Sequence, residues 1–174
     1  MNFKKLLSKF FNIILFILTL TVFEQCNVYS FTGTSIPKDA KTICVYYIEN
    51  TASLIQPNLS NALTEALKTK CLNETQLTWK EENADISFSG KILDYKVEPI
   101  AIQNNETAAQ NRLTITLEII FINIIDESQN FKTTFSSYED FDSDKNLYEE
   151  EESLNNIIVT NLVTDIFNAG LVNW

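Results

Sequence analysis

Residues Arg112 to Phe121 read RLTITLEIIF, and their alternation restricts the fold more than any other feature of the chain. Leu113, Ile115, Leu117, Ile119 and Phe121 fall on one face of an extended strand, with Arg112, Thr114, Thr116 and Glu118 opposite. Side chains repeat with period two along a strand, so this run requires a sheet with one buried and one wet face. A second long run, Asp85 to Pro99, changes phase: Ile86, Phe88 and Ile92 share one face, while Leu93, Tyr95 and Val97 hold the other. A strand cannot switch faces without an extra residue or a bend. A β-bulge is therefore predicted between Gly90 and Leu93.

The remaining elements are shorter or helical. TICVYYIEN, Thr42 to Asn50, reads as a strand with apolar residues on both faces, which suits a central or doubly covered position. TQLTW (Thr75 to Trp79) and FKTTFSSY (Phe131 to Tyr138) add two more strands. Pro57 opens a helix whose stripe is Leu59, Ala62, Leu63, Ala66, Leu67 and Cys71. A last helix from Leu147 to Ala169 carries Leu154, Ile157, Ile158, Leu162, Ile166 and Phe167, with Gly170 as its stop. Glu149 to Glu152 lie in its first turns, where the helix dipole favours carboxylates. The order β-α-β-β-β-β-α defines an α+β class, a single mixed or antiparallel sheet with two helices packed on one face. Between the two longest strands lies IAIQNNETAAQN, Ile100 to Asn111, long enough for a functional loop.

Ahead of this body stands a leader. Lys4, Lys5 and Lys9 precede FFNIILFILTLTVF, an apolar run short of the roughly 20 residues that span a bilayer. Residues 1–25 are read as a lipoprotein-type signal peptide, Cys26 as the acylated first residue, and 26–41 as the lipidated terminus and linker. Gln25, Glu24 and Phe23 depart from the small and aliphatic residues that usually precede such a cysteine. A plain secreted protein, or an uncleaved leader, with an incidental Cys26 is the alternative. Without the leader, 13 basic and 23 acidic residues become 10 and 22, and the net charge moves from −10 to −12. An acidic surface of this kind repels phosphate backbones, so no nucleic-acid partner is expected.

Catalytic and metal chemistry find little support. The chain has no histidine, which excludes His-based zinc sites, Ser-His-Asp triads and Cys-His dyads. Asp140, Asp142, Asp144 and Glu151 stand at positions 1, 3, 5 and 12 of a calcium-loop pattern. Lys145 occupies the place of the required glycine, so the stretch is read as a solvated connection and no metal or cofactor is expected. Glu81 and Glu82 read as ordinary turn carboxylates. Cys44 and Cys71 could form a disulfide in an exported protein, or remain buried thiols, the reading favoured here. Arg112 and Lys132 could project from neighbouring strands as a small positive spot, a candidate contact for a phosphorylated lipid head group. The bland alternative is a strand face paired with Glu98 or Glu118.

Several segments together resemble a known family. CNVYSFTGTSIP, ALTEALKTKCL, ISFSGKILDYKVEPIA, AAQNRLTITLEIIF and DIFNAGLVNW are similar to the LptE-like lipopolysaccharide-assembly lipoproteins, in their Bacteroidetes-type form. The resemblance runs from Cys26 to Trp174 and makes 42–174 an LptE-like α+β domain. It implies a non-enzymatic lipoprotein on the periplasmic face of the outer membrane, moored there by acyl chains. Its implied partners are an LptD-like β-barrel, which it would plug and help assemble, and lipopolysaccharide, whose transport to the outer leaflet it would assist. The other reading is a periplasmic lipid- or small-ligand-binding lipoprotein with no barrel partner.

Overall fold

The structure, a computed structural model, describes residues 36–100 and 109–172. The leader, Cys26, the first part of the linker and loop residues 101–108 lie outside the described residues. The body is the unit Thr32–Trp174.

Among the described residues six strands form one mixed sheet. They are β1 (Thr42–Val45), β2 (Glu49–Asn50), β3 (Thr78–Trp79), β4 (Ile86–Ile100), β5 (Gln110–Asn123) and β6 (Phe131–Asp142). Helix α1 (Leu59–Glu74) follows β2, and α2 (Leu147–Leu171) closes the chain. The spatial order is β3-β1-β4-β5-β6, with β2 also pairing β4. β1 runs parallel to β3 and β4, whereas β4, β5 and β6 form an antiparallel meander.

β5 supplies the alternation anticipated from RLTITLEIIF. Leu113, Ile115, Leu117, Ile119 and Phe121 are completely buried beneath the helices. Each such side chain contributes about 1.5–3 kcal/mol of apolar burial. On β4 the register against β5 slips between Ile92 and Asp94, so Leu93 is the extra residue. Leu93 is 38 % exposed, while Ile92 before it and Tyr95 after it both face the core. The bulge resolves the phase change.

Elsewhere the structure corrects the sequence reading. Thr42 to Asn50 is not one strand. Tyr46, Tyr47 and Ile48 span the gap between Val45, opposite Phe88, and Glu49, opposite Lys91, and only Ser89 and Gly90 face them. One surplus residue interrupts the pairing, and the Ile48 amide bonds Thr64 Oγ1 on α1 instead (3.1 Å). That bond also rotates the α1 stripe: Ser60 and Thr64 are buried with Leu63 and Leu67, and Ala62 is exposed. TQLTW shortens to Thr78–Trp79, whereas the last strand continues past Tyr138 to Asp142.

Gly170 does not stop α2. It lies inside the helix, where an added Cβ would sit 2.7 Å from Phe88 Cζ and 3.0 Å from Phe121 Cδ2. Phe88, Phe121 and Phe131 are register partners across β4, β5 and β6. Their centroids are 4.9 and 5.2 Å apart in sequence, an aromatic row running across the sheet. The glycine is needed so that the helix can rest on that row. Ile157, placed on the stripe from its spacing, is instead exposed, and Val159 and Val163 take its part.

Candidate functional site

Among the described residues both helices cover the same side of the sheet, and the opposite side of β4, β5 and β6 stays open. The odd-numbered residues of β5 are taken by the core, which leaves Arg112, Thr114, Thr116 and Glu118 on the open face. Register sets Asp140 beside Arg112, Tyr138 beside Thr114, Ser136 beside Thr116 and Thr134 beside Glu118. The result is a broad, flat, hydroxyl-rich surface. Thr116 Oγ1 and Ser136 Oγ lie 3.1 Å apart and share one hydrogen bond.

Several charges on this face are paired, although the exposed Asp94 is not. Arg112 grips Asp140 with both arms of its guanidinium, Nε to Oδ1 at 2.7 Å and Nη2 to Oδ2 at 2.9 Å. Its Cζ also lies 3.6 Å from the Tyr138 ring centroid. The guanidinium holds the Asp140 carboxyl below the usual carboxylate range, and the carboxylate in turn raises Arg112. Further along, Glu118 lies 3.7 Å from Lys91 and 3.3 Å from Lys132, a belt of charge across three strands.

Arg112 and Lys132 therefore do not form one positive spot. Lys132 stands opposite Ile120, eight positions along β5 from Arg112, a separation of roughly 27 Å. The first position of the acidic calcium-like pattern, Asp140, lies in a strand with both oxygens engaged by Arg112. Lys145 lies 4.0 Å from Asp142 and 3.3 Å from Glu150, so it neutralises the connection from within.

Cys44 and Cys71 are free, buried thiols. Cys71 belongs to the core between helices and sheet, whereas Cys44 sits on the other face of β1 from Ile43 and Val45, its thiol donating to the Glu81 carbonyl (3.1 Å). The sheet stands between them. Burial pushes the Cys71 thiol up to about 12 and raises Cys44 as well.

Three features escaped the sequence reading. Asp85 ties the start of β1 to the start of β4 through its carboxylate. Tyr95 Oη donates to Glu151 Oε1 on α2 (2.7 Å), a buried hydroxyl whose ionisation is pushed up by burial and by that carboxylate. The β5–β6 turn also exposes Ile122, Ile124 and Ile125. Only the last had a signal: Ile120 and Ile122 put aliphatic residues into the otherwise polar phase of β5.

The profile of the LptE lipopolysaccharide-assembly family matches residues 40–169. No curated protein matches the sequence. Among solved structures, a minor lipoprotein from Acinetobacter baumannii is similar at 15% identity and a TM-score of 0.47, over 73% of this chain and 89% of that one. The PelC dodecamer from Paraburkholderia phytofirmans is similar at 10% identity and a TM-score of 0.45, over 77% of this chain and 90% of that one. Identities this low carry no function across. The family match covers most of the chain: this is an α+β protein of lipopolysaccharide assembly, and it belongs to the LptE family.

Proposed function

We propose that the protein is an outer-membrane lipoprotein that fills the lumen of an LptD-type β-barrel and helps lipopolysaccharide reach the outer leaflet. In this reading acyl chains on Cys26 hold it on the periplasmic face. It performs no covalent chemistry; its work is assembly and occupancy. The observation that carries the reading is the open, hydroxyl-rich sheet face of β4, β5 and β6. Barrel interiors are polar and hydrated, and a flat face of threonine, serine and tyrosine hydroxyls can exchange hydrogen bonds with such a wall. A buried core behind it keeps that face rigid.

The ligand-binding alternative calls for a sizeable apolar pocket. The groove of about 580 Å³ between α1 and α2 is instead lined by Gln56, Asn58, Glu151, Glu152, Asn155 and Asn156 among others. Among the described residues a second groove, of about 460 Å³, is open to solvent and edged by Glu65, Lys70, Asn73 and Glu74 beside Ala66 and Val163; neither is an enclosed apolar pocket, which supports the plug reading. Glycolipid phosphates are met by Arg112 and Lys132 as separate contacts, because an acidic protein has to attract an anion locally.

Extraction of native membranes in mild detergent tests the reading. The protein should travel with a large β-barrel, and its depletion should leave that barrel misassembled. A lone monomer, with an unaffected barrel, would overturn it.

A further inference from the structure

The open face is not uniform along its length. Beyond the Lys91–Glu118–Lys132 belt its character changes from hydroxyl to aliphatic: Ile120, Ile122, then Ile124 and Ile125 at the tip of the β5–β6 turn. Ile122, Ile124 and Ile125 are 37, 58 and 42 % exposed, and they are consecutive along the outer side of one hairpin end. Single exposed aliphatics are ordinary on a soluble surface, but a clustered aliphatic tip calls for an occupant.

Two observations say which. First, this tip is the end at which the chain enters the domain. The Ile124 amide donates to the Asp85 carbonyl (3.0 Å), while the Asp85 carboxylate accepts from the Lys41 and Thr42 amides at 2.8 and 2.9 Å. The entry of the chain and the tip are thus held to one residue. Nine residues separate Cys26 from Ile36, ten Cα steps that span at most about 33–36 Å. Second, Lys132 lies opposite Ile120, two residues or about 7 Å along the strand from Ile122. A segment lying in a membrane interface sinks roughly 5–10 Å. A tip immersed as far as Ile122 therefore leaves Lys132, whose ammonium reaches back towards Glu118 (3.3 Å), just above it among the lipid head groups.

We propose that the β5–β6 tip, Ile122, Ile124 and Ile125, inserts into the lipid leaflet that holds the acylated Cys26, with Lys132 at head-group level. The inference rests on the reading that Cys26 is acylated. Three chemical details fix the kind of leaflet. Asp126 follows the tip but turns its carboxylate back onto the Ser128 amide and hydroxyl (3.1 and 2.6 Å). Glu127 remains exposed, and Glu118 tempers Lys132. A zwitterionic surface fits this balance better than a strongly anionic one. The tip then acts as a second foothold beside the anchor and fixes the tilt of the domain.

The test uses the mature protein reconstituted in vesicles of equimolar phosphatidylethanolamine and phosphatidylcholine. A nitroxide is attached through Ile125→Cys, and in a second preparation through Ser136→Cys; the buried Cys44 and Cys71 are shielded from the reagent in the folded protein. Collision with oxygen should exceed collision with a water-soluble nickel chelate at position 125, and the order should reverse at position 136. Adding Ile124→Asp should return position 125 to the water-like ratio. Mass spectrometry of the same samples reads the acyl mass on Cys26. Acyl mass present with a water-like position 125 overturns the inference and leaves the anchor standing. A label shielded from both quenchers means a protein occupant and also overturns it. Absence of acyl mass removes the anchor reading, and the inference with it.

Discussion

The Asp85 carboxylate accepts three hydrogen bonds through one oxygen: from the Lys41 amide, and from the amide and hydroxyl of Thr42. Thr42 returns the contact, its Oγ1 accepting from the Asp85 amide at 2.9 Å. The Lys41 amide and then the Thr42 hydroxyl hold the Asp85 carboxyl below its ordinary value, and Arg112 does the same for Asp140. A depressed folded-state pKa stabilises above the unfolded value, about pH 4, and that stabilisation is lost as pH falls through the folded value. Thermal unfolding between pH 7 and pH 2 should therefore show a falling midpoint below about pH 4. Asp85→Asn with Asp140→Asn should flatten that acid limb. An unchanged limb would show that neither carboxylate is stabilised in the fold.

Gly170→Ala pits two effects against each other. Alanine gains about 1 kcal/mol of helix propensity over glycine, but the new methyl meets the buried rings of Phe88 and Phe121. Overpacking of this kind costs about 1–3 kcal/mol, and α2 cannot lift without exposing the aromatic row. The expected outcome in urea denaturation is a net loss of up to about 2 kcal/mol, partly restored by Phe88→Leu. A gain in stability would mean that Gly170 is only a weak helix residue.

Deletion and substitution at position 93 should both be tolerated, in contrast to deletion of a paired residue of the same strand. Leu93→Ser alters a half-exposed side chain and should cost well under about 1 kcal/mol. Deleting Leu93 removes the bulge but keeps the faces, because Asp94 still follows Ile92 opposite Thr116 and Tyr95 still lies opposite Ile115. Deleting the regularly paired Ser89 instead puts either Phe88 or Lys91 on the wrong face. Cooperative unfolding, followed by circular dichroism, should survive the deletion of Leu93 and be lost on deletion of Ser89.

Both thiols should be silent in the native state. Thiolate is the reactive form, and burial raises the ionisation of Cys44 and Cys71. At pH 8 alkylation should modify both only as fast as the protein opens, and should complete at once in denaturant. Rapid reaction of the folded protein would contradict the packing around β1 and α1.

Arg112 and Lys132 should contribute to glycolipid binding independently. With about 27 Å between them, Arg112→Ala and Lys132→Ala should weaken lipopolysaccharide binding additively, within about 0.5 kcal/mol. Strong coupling between the two would restore the single-spot arrangement.

The strands of the meander were legible because a half-buried sheet writes its two faces directly into alternate residues, and Leu93 betrayed itself as a break in that rhythm. Gly170 was not legible. A glycine near a helix end can mark a stop or a close approach, and only Phe88 and Phe121, distant in sequence, decide between them. The splitting of Thr42 to Asn50 depended on Thr64 of α1 capturing the Ile48 amide, again a long-range choice. On the open face, residue types were visible but pairing was not. Arg112 was legible as a cation; its fork with Asp140 required the register of β6.

In the proposed function the open sheet face meets a barrel wall. Photo-crosslinking side chains placed at Thr116, on that face, and at Asn161, exposed on α2, test it within native membranes. A barrel-sized adduct is expected from Thr116 and a much weaker one from Asn161. Adducts from Asn161 alone, or none from either position, would contradict it.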